Sequence, residues 1–167
     1  MDEVNFITML RFFWLDTSAL VKIFIEEEGS AEIKKVFKDF HQNIFYTTEF
    51  CVYEYYNVLK RKYLHNQLID EETYLRSIFI LSTYLKLGTI RYNDTKDSFE
   101  SIFLQTRKIV KKYSLDYSDA IQFVLIQKGL LETLAGESRP VLITSDKGMI
   151  RAAELENIIY WNSKISI

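Results

Sequence analysis

A short run of apolar, mostly aromatic residues at 12–15 stops abruptly at an aspartate, Asp16. The run has no polar alternation and is far too short to cross a membrane, so it predicts a strand buried on both faces. The same pattern returns late in the chain, where the apolar run 141–144 is followed two residues later by Asp146. Strands of this kind belong to parallel sheets covered by helices. These two runs therefore restrict the chain to α/β folds.

Segments with helical periodicity separate the apolar runs. Thr17 or Ser18 and Asp94 or Thr95 stand where helix caps are expected, and Gly129 stands where a helix would end. Strands that alternate with helices predict an open parallel sheet with helices on both faces and a ligand site at the carboxyl ends of the strands. We expect strands at 12–15, 44–47, 89–92, 141–144 and 158–161, and helices at 17–27, 30–40, 49–63, 70–86, 94–113, 117–128 and after 146, with a loop at 133–139.

Length and composition restrict the class of protein further. The chain has 167 residues with only five Gly and one Pro, so it shows no linker, and we expect a single domain over residues 1–167. With Cys51 as the lone cysteine, no internal disulfide can form, and together with an acidic amino terminus this favours a cytoplasmic protein with no membrane segment. Met1 and Met9 are both possible start residues. The net charge of −2 makes no general case for nucleic-acid binding.

Five acidic residues stand out by their surroundings, although each has an ordinary structural alternative. Asp16 and Asp119 fit helix caps, and Asp146 fits a turn. Glu54 lies on an apolar helix stripe, where its side chain either reaches solvent or is held by a partner. Asp116 precedes Asp119 by three residues and is either a cap or an additional ligand.

The acids are more informative together than singly. Strand-end acids beside acids on core helices would gather at one edge of the sheet, where two carboxylates about 5 Å apart repel by roughly 3 kcal/mol at an effective dielectric of 20. Such a cluster needs a cation. Oxygen ligands suit Mg²⁺ or Mn²⁺, and two His with one Cys offer no convincing zinc site.

The ordered motifs at 13–22, 45–48 with Glu54, 115–120 and 142–146 resemble those of PIN-domain ribonucleases, most closely the VapC-type toxins of toxin–antitoxin pairs. The resemblance covers residues 12–161 and departs from the family in an extended helical middle at 67–112. It implies a PIN-like three-layer α/β/α sandwich with a short central parallel sheet and a helical extension. It also implies a Mg²⁺- or Mn²⁺-dependent nuclease that leaves a 3′ hydroxyl and a 5′ phosphate. The implied catalytic and metal-binding residues are Asp16, Glu54, Asp119 and Asp146, supported by Thr17, Ser145 and Asp116.

Basic and aromatic residues suggest how partners bind. Lys60, Arg61 and Lys62 are the predicted RNA-binding cluster, and two further clusters lie at 34–38 and 107–112; each is otherwise a solvated helix face. The 25 aromatic residues exceed what one small core can bury, which predicts a homodimer through the helices at 49–63 and 70–86. The resemblance implies a small antitoxin as a further partner.

Three other classes remain open. A receiver-like phosphorylation module also uses strand-end acids with a later lysine, such as Lys147, but it requires an acidic pair that is missing near Asp16. A PIN-like scaffold that binds RNA or protein without cutting it is a stronger alternative. A housekeeping RNA-processing PIN nuclease would keep the chemistry and lose the toxin role.

Overall fold

The computed structural model of the chain describes residues 11–39, 42–92, 97–133 and 140–164. In this part of the chain, five strands form one parallel sheet, as the sequence predicts, and their order is β3-β2-β1-β4-β5. The first strand is central and pairs with β2 and β4. The strands are β1 Arg11–Leu15, β2 Asn43–Thr47, β3 Ile90–Tyr92, β4 Val141–Thr144 and β5 Tyr160–Asn162.

Helices connect successive strands. From β1 the chain first moves outward to β2 and β3 and then returns to β4 and β5 on the other side, so right-handed crossovers place helices on both faces of the sheet. This is the predicted three-layer α/β fold. The helices are α1 Thr17–Phe24, α2 Ser30–Lys38, α3 Glu49–Lys60 with a π-helical turn at Arg61–His65, α4 Glu71–Lys86, α5 Phe99–Tyr113, α6 Tyr117–Thr133 and α7 Lys147–Leu155.

The sixth helix is longer than its sequence predicts. We expected it to end at Gly129, but it continues to Thr133. Gly129 faces the indole of Trp14, and a Cβ atom at this position would lie 1.8 Å from Trp14 Cη2. The glycine is therefore required for close packing of α6 against β1, and it does not end the helix.

Two helix starts also differ from the prediction. The first helix is capped by Asp16, and neither Thr17 nor Ser18 caps it. The fifth helix begins at Phe99 with Ser98 as its cap, so the predicted start near residue 94 is too early. Residues 94 and 95 lie outside the described residues, as do Met1, Met9 and residues 134–139 of the loop predicted at 133–139. The first residue of that predicted loop, Thr133, is the last residue of α6.

The helical extension packs by its inner face only. The Tyr55 hydroxyl donates to the Ser77 carbonyl oxygen (3.2 Å), which ties α3 to α4, and the rings of Tyr63 and Tyr74 stack 5.0 Å apart. On the outer face of α4, Phe79 is 71% exposed. No helix in the described ranges is long and apolar enough to cross a bilayer.

Candidate active site

Three strands end at the edge of the sheet where the predicted acids lie. Asp16 directly follows β1, and Asp146 follows β4 by two residues. The second strand ends at Thr47, and Thr48 caps α3, the helix that carries Glu54. Parallel pairing of β1 with β2 and with β4 brings all three strand ends to one edge. The topology thus assembles acids that are up to 130 residues apart in sequence.

Asp16 is buried and held by several donors. Its Oδ1 accepts hydrogen bonds from the Ala19 backbone N–H and the Ser18 hydroxyl, each at 2.8 Å. Its Oδ2 accepts a hydrogen bond from the Thr144 hydroxyl at the end of β4. Only 3% of the residue is exposed, so these contacts fix the carboxylate. Both alternatives of the sequence analysis are compatible with this position, since the helix cap uses Oδ1 alone.

Two hydroxyls bridge the β1 and β4 ends. The Thr144 hydroxyl accepts from the Asp146 backbone N–H (3.0 Å) while donating to Asp16, and the Ser18 hydroxyl accepts from the Ser145 backbone N–H (2.8 Å). Ser145 therefore supports the site through its main chain. Because each hydroxyl has one proton, these acceptor contacts direct that proton to the carboxylate.

Glu54 is held by partners and does not simply extend into solvent. Its Oε2 accepts hydrogen bonds from the Thr17 hydroxyl (2.7 Å) and from the Gln122 side-chain amide. The Gln122 carbonyl oxygen in turn accepts from the Cys51 thiol (3.4 Å). Because Thr17, Gln122 and Cys51 are buried, this chain of hydrogen bonds holds the Glu54 carboxylate in a fixed position.

Asp119 and Asp146 are less enclosed than Asp16. Asp119 lies in the first turn of α6 and is half-buried, whereas Asp146 is exposed and caps α7 by accepting from the Met149 backbone N–H (2.7 Å). Asp116 is exposed, and its carbonyl oxygen accepts from the Ala120 backbone N–H (2.8 Å).

Burial and mutual repulsion raise the pKa of two of these acids. Burial raises the pKa of Asp16 to about 6 against the opposing effect of its hydrogen bonds, and the charge of Asp146 adds to the rise. Burial also raises the pKa of Asp119 to about 6, followed by the charges of Asp146, Glu54 and Asp116. Five carboxylates therefore influence one another's charge in a site that is partly shielded from water.

The acids are near one another without closing into a cage. Within the described ranges, no three His, Cys, Asp or Glu side chains stand in the geometry that holds a metal ion. Three of the carboxylates instead accept hydrogen bonds from separate donors: Asp16 from Thr144, Glu54 from Gln122 and Asp146 from the Met149 backbone N–H.

A groove leads from the site along α3. It encloses about 470 Å³ and is lined by Phe50, Tyr53, Glu54, Asn57, Lys60, Arg61, Ser118 and Gln122. Two of the predicted RNA-binding residues, Lys60 and Arg61, therefore share a groove with Glu54. Lys62 does not, since it forms an ion pair with Glu27 on the side of a different groove.

Sequence reasoning missed three residues that hold the acids: Ser18, Thr144 and Gln122. Gln122 had a usable signal, because it is the lone amide in the apolar run 120–126 and lies one turn after Asp119. Thr144 and Ser18 had none, since a threonine at a strand end and a serine in a first helical turn are ordinary residues there.

Comparison with known proteins agrees with this architecture. The family model described as PIN domain matches residues 13–155. No curated protein matches the chain in sequence.

Solved structures are similar in fold. A chain of VapBC2 from Rickettsia felis, crystallised with a DNA fragment from its promoter, has a TM-score of 0.55 and 12% identity, over 90% of this chain and 97% of that one. A chain of FitAcB from Neisseria gonorrhoeae has a TM-score of 0.51 and 15% identity, over 90% and 97%. A chain of VapBC-1 from nontypeable Haemophilus influenzae has a TM-score of 0.50 and 14% identity, over 92% and 99%. At these identities the likeness is one of fold.

Proposed function

Because the chain belongs to the PIN domain family, we propose that it is a Mg²⁺- or Mn²⁺-dependent endoribonuclease formed by a single domain over residues 1–167. The observation that carries this proposal is that parallel pairing of β1 with β2 and β4 brings Asp16, Asp146 and the helix of Glu54 to one edge of the sheet. The charges of Asp146 and Glu54 also act on Asp119 there. Burial and neighbouring acids raise the pKa of Asp16 and Asp119 to about 6. A bound divalent cation would oppose both effects, which supports the proposal of a cation site.

The donor set fits a hard cation. Asp16, Glu54, Asp119 and Asp146 would hold it, because Mg²⁺ and Mn²⁺ prefer carboxylate oxygens and retain water. Asp146 is exposed and Asp119 is half-buried, so these side chains have room to turn toward an ion. When bound, the ion would polarise the scissile phosphate and lower the pKa of a bound water.

Polar residues around the acids hold two of the carboxylates in position. The hydroxyls of Thr144 and Ser18 hold the Asp16 carboxylate, and Thr17 and Gln122 hold Glu54. Because the bonds from Thr144, Thr17 and Gln122 join different elements, they would keep Asp16 and Glu54 in place when RNA approaches. Lys60 and Arg61 would contact RNA phosphates beside Glu54.

We further propose that the enzyme is a cytoplasmic toxin, a homodimer inhibited by a small antitoxin. Two of the fold neighbours belong to VapBC complexes, and the motifs resemble those of VapC-type toxins. On the proposed dimer helices Tyr53 and Phe79 are 66% and 71% exposed, whereas Tyr55 is buried in the core and is not available for a dimer contact. Light scattering at micromolar concentration checks the dimer, and a mass near the monomer's 19.8 kDa would refute it.

The experiment that tests the activity is incubation of the purified chain with total RNA and Mg²⁺ or Mn²⁺, followed by sequencing of the cleaved ends. We expect defined cuts with metal and none with EDTA or with Asp119→Asn. Induced expression should arrest growth, and Asp119→Asn should relieve the arrest. Cleavage without growth arrest would favour an RNA-processing nuclease over a toxin.

A scaffold that binds RNA or protein without cleaving is the second candidate. It is favoured by the finding that, in the described part of the chain, the acids do not stand in metal-holding geometry. Metal binding without cleavage of any RNA would select this reading.

A further inference from the structure

Three aromatic rings form an exposed strip on α5 and at the start of α6. Phe99, Phe103 and Tyr117 are 77%, 42% and 41% exposed. The ring centroids of Phe99 and Phe103 are 6.2 Å apart, and those of Phe103 and Tyr117 are 5.8 Å apart. Exposure of three adjoining rings is costly in water, so this aromatic strip requires a functional explanation.

Basic residues continue the same face of α5. Phe99, Phe103, Arg107 and Lys111 follow one another at intervals of four residues and therefore form one helix stripe. Phe103, Arg107, Val110, Lys111 and Tyr117 line a groove of about 430 Å³.

The two cations of this groove differ from neighbouring lysines. Lys112 forms an ion pair with Glu156, and Lys128 forms one with Asp97. Among residues in the described ranges, neither Arg107 nor Lys111 forms an ion pair. Their charge is thus available to an anionic ligand.

The aromatic strip lies close to the candidate site along the chain. Tyr117 opens α6 and stands two residues before Asp119, and α5 packs along α6. Residues two apart in a helix face different sides, so an RNA strand that passes the acids would reach Tyr117 and α5 around the first turn of α6.

We propose that the aromatic strip and its groove bind unpaired nucleotides of an RNA strand that flank the cleaved bond. Bases would stack on Phe99, Phe103 and Tyr117, and phosphates would lie against Arg107 and Lys111. An RNA strand carries alternating phosphates and bases, which match a surface that combines cations without ion pairs and exposed aromatic rings. An apolar protein segment bound there would remove water from both cations without pairing them. This inference rests on the proposed function, because it extends the path of the same substrate.

Binding of a fluorescein-labelled, single-stranded 12-nucleotide RNA in EDTA tests the proposal without cleavage. We expect Phe103→Ala to weaken affinity about tenfold, in line with base–aromatic stacking. Phe103→Trp should retain affinity. Leu104→Ala is the matched control, because Leu104 is 56% exposed on an adjacent face of the same helix and should leave affinity unchanged. Arg107→Ala with Lys111→Ala should flatten the salt dependence.

Unchanged affinity and salt dependence in the strip and groove variants would overturn the inference, and a simultaneous loss of dimer mass would identify the strip as a protein contact. The result is separable from the nuclease proposal. A wild-type chain that cleaves RNA with metal while the strip variants bind normally refutes only the strip. Strip-dependent binding without any metal-dependent cleavage refutes only the nuclease.

Discussion

The turns after β1 and β4 have the same local design and different surroundings. In each, an aspartate that follows a strand caps the next helix through Oδ1: Asp16 accepts from the Ala19 N–H, and Asp146 from the Met149 N–H. Asp16 is 3% exposed and receives two hydroxyl donors, whereas Asp146 is exposed. The same sequence signal thus produces one fixed carboxylate and one adjustable carboxylate. We infer that Asp16 fixes the position of the site and that Asp146 adapts to what binds there.

The largest expected difference between the two turns is in cleavage. Asp16→Asn should lower the rate about a thousandfold, equivalent to about 4 kcal/mol, because a buried ligand has no substitute. Asp146→Asn should remove most activity but less of it, about a hundredfold, since water can partly replace an exposed ligand.

Cleavage rates with Mn²⁺ measure the losses in Asp16→Asn and Asp146→Asn. Glu72→Gln changes an exposed acid on α4 and is the control that should stay active. Equal losses in the two aspartate variants would break the distinction between the turns.

The next effect is on stability without metal. Asp16 has its pKa raised to about 6 in the folded chain, so the native state binds more protons than the unfolded state between about pH 4 and 6. Its contribution to the free energy of unfolding should fall as pH rises through this window, by up to about 3 kcal/mol.

Urea unfolding of wild type and Asp16→Asn in EDTA isolates this contribution as their difference. Asp119→Asn should show a smaller change of the same sign, because its carboxyl is only half-buried and solvent screens it. If the free energy of unfolding changed with pH in the same way for wild type and Asp16→Asn, burial would not control the pKa of the Asp16 carboxyl.

Removing the donor that joins the two turns should have an intermediate effect. Thr144→Val keeps the shape of the side chain and deletes the hydroxyl that donates to Asp16. At neutral pH we expect a loss of about 1–3 kcal/mol, the cost of a buried charged acceptor without its partner.

Thr106→Val is the matched control, because Thr106 is also buried but its hydroxyl donates only to the Ile102 carbonyl of its own helix. Urea midpoints compare the two variants, and equal losses would mean that the Asp16 contact contributes nothing specific.

The smallest effect concerns RNA binding next to the adjustable side of the site. Lys60→Ala with Arg61→Ala should weaken RNA affinity severalfold and lower the slope of log affinity against log salt by about 0.7 per lost phosphate contact. Lys62→Ala is the control, since Lys62 is paired with Glu27. Fluorescence anisotropy over a salt series measures this, and identical slopes in all variants would place the RNA path elsewhere.

The sequence predicts the fold well because its strands are short apolar runs with a clear end. Helix boundaries were less accurate where tertiary contacts decide them. Gly129 has the local pattern of a helix end, yet it lies inside α6, where its lack of a side chain lets the helix pack against Trp14 of β1. Asp16 caps α1, and Thr17 is its first helical residue, whose hydroxyl donates to Glu54 on α3.

The candidate site shows the same division. Acids that follow strands or open helices can be found in sequence, because topology brings strand ends together. The residues that hold them, such as Thr144 and Gln122, are defined by contacts 128 and 68 residues away. Gln122 leaves a local signal as the lone amide in an apolar run, whereas Thr144 leaves none. Lys62 resembles Lys60 and Arg61 in sequence, but it forms an ion pair with Glu27 and does not line the groove of Glu54.

The central claim is that the carboxylates at the edge of the sheet form one cation site. Calorimetric titration of Mn²⁺ into the wild-type chain and into Asp119→Asn at neutral pH tests it most directly, because it requires neither RNA nor cleavage. We predict saturable binding to the wild type and a large loss of affinity in Asp119→Asn. Proton release should grow as the pH of the titration is lowered from 7 to 6, where the two acids whose pKa is raised are about half protonated. Absence of saturable binding to the wild type, or equal binding to both chains, would contradict the account.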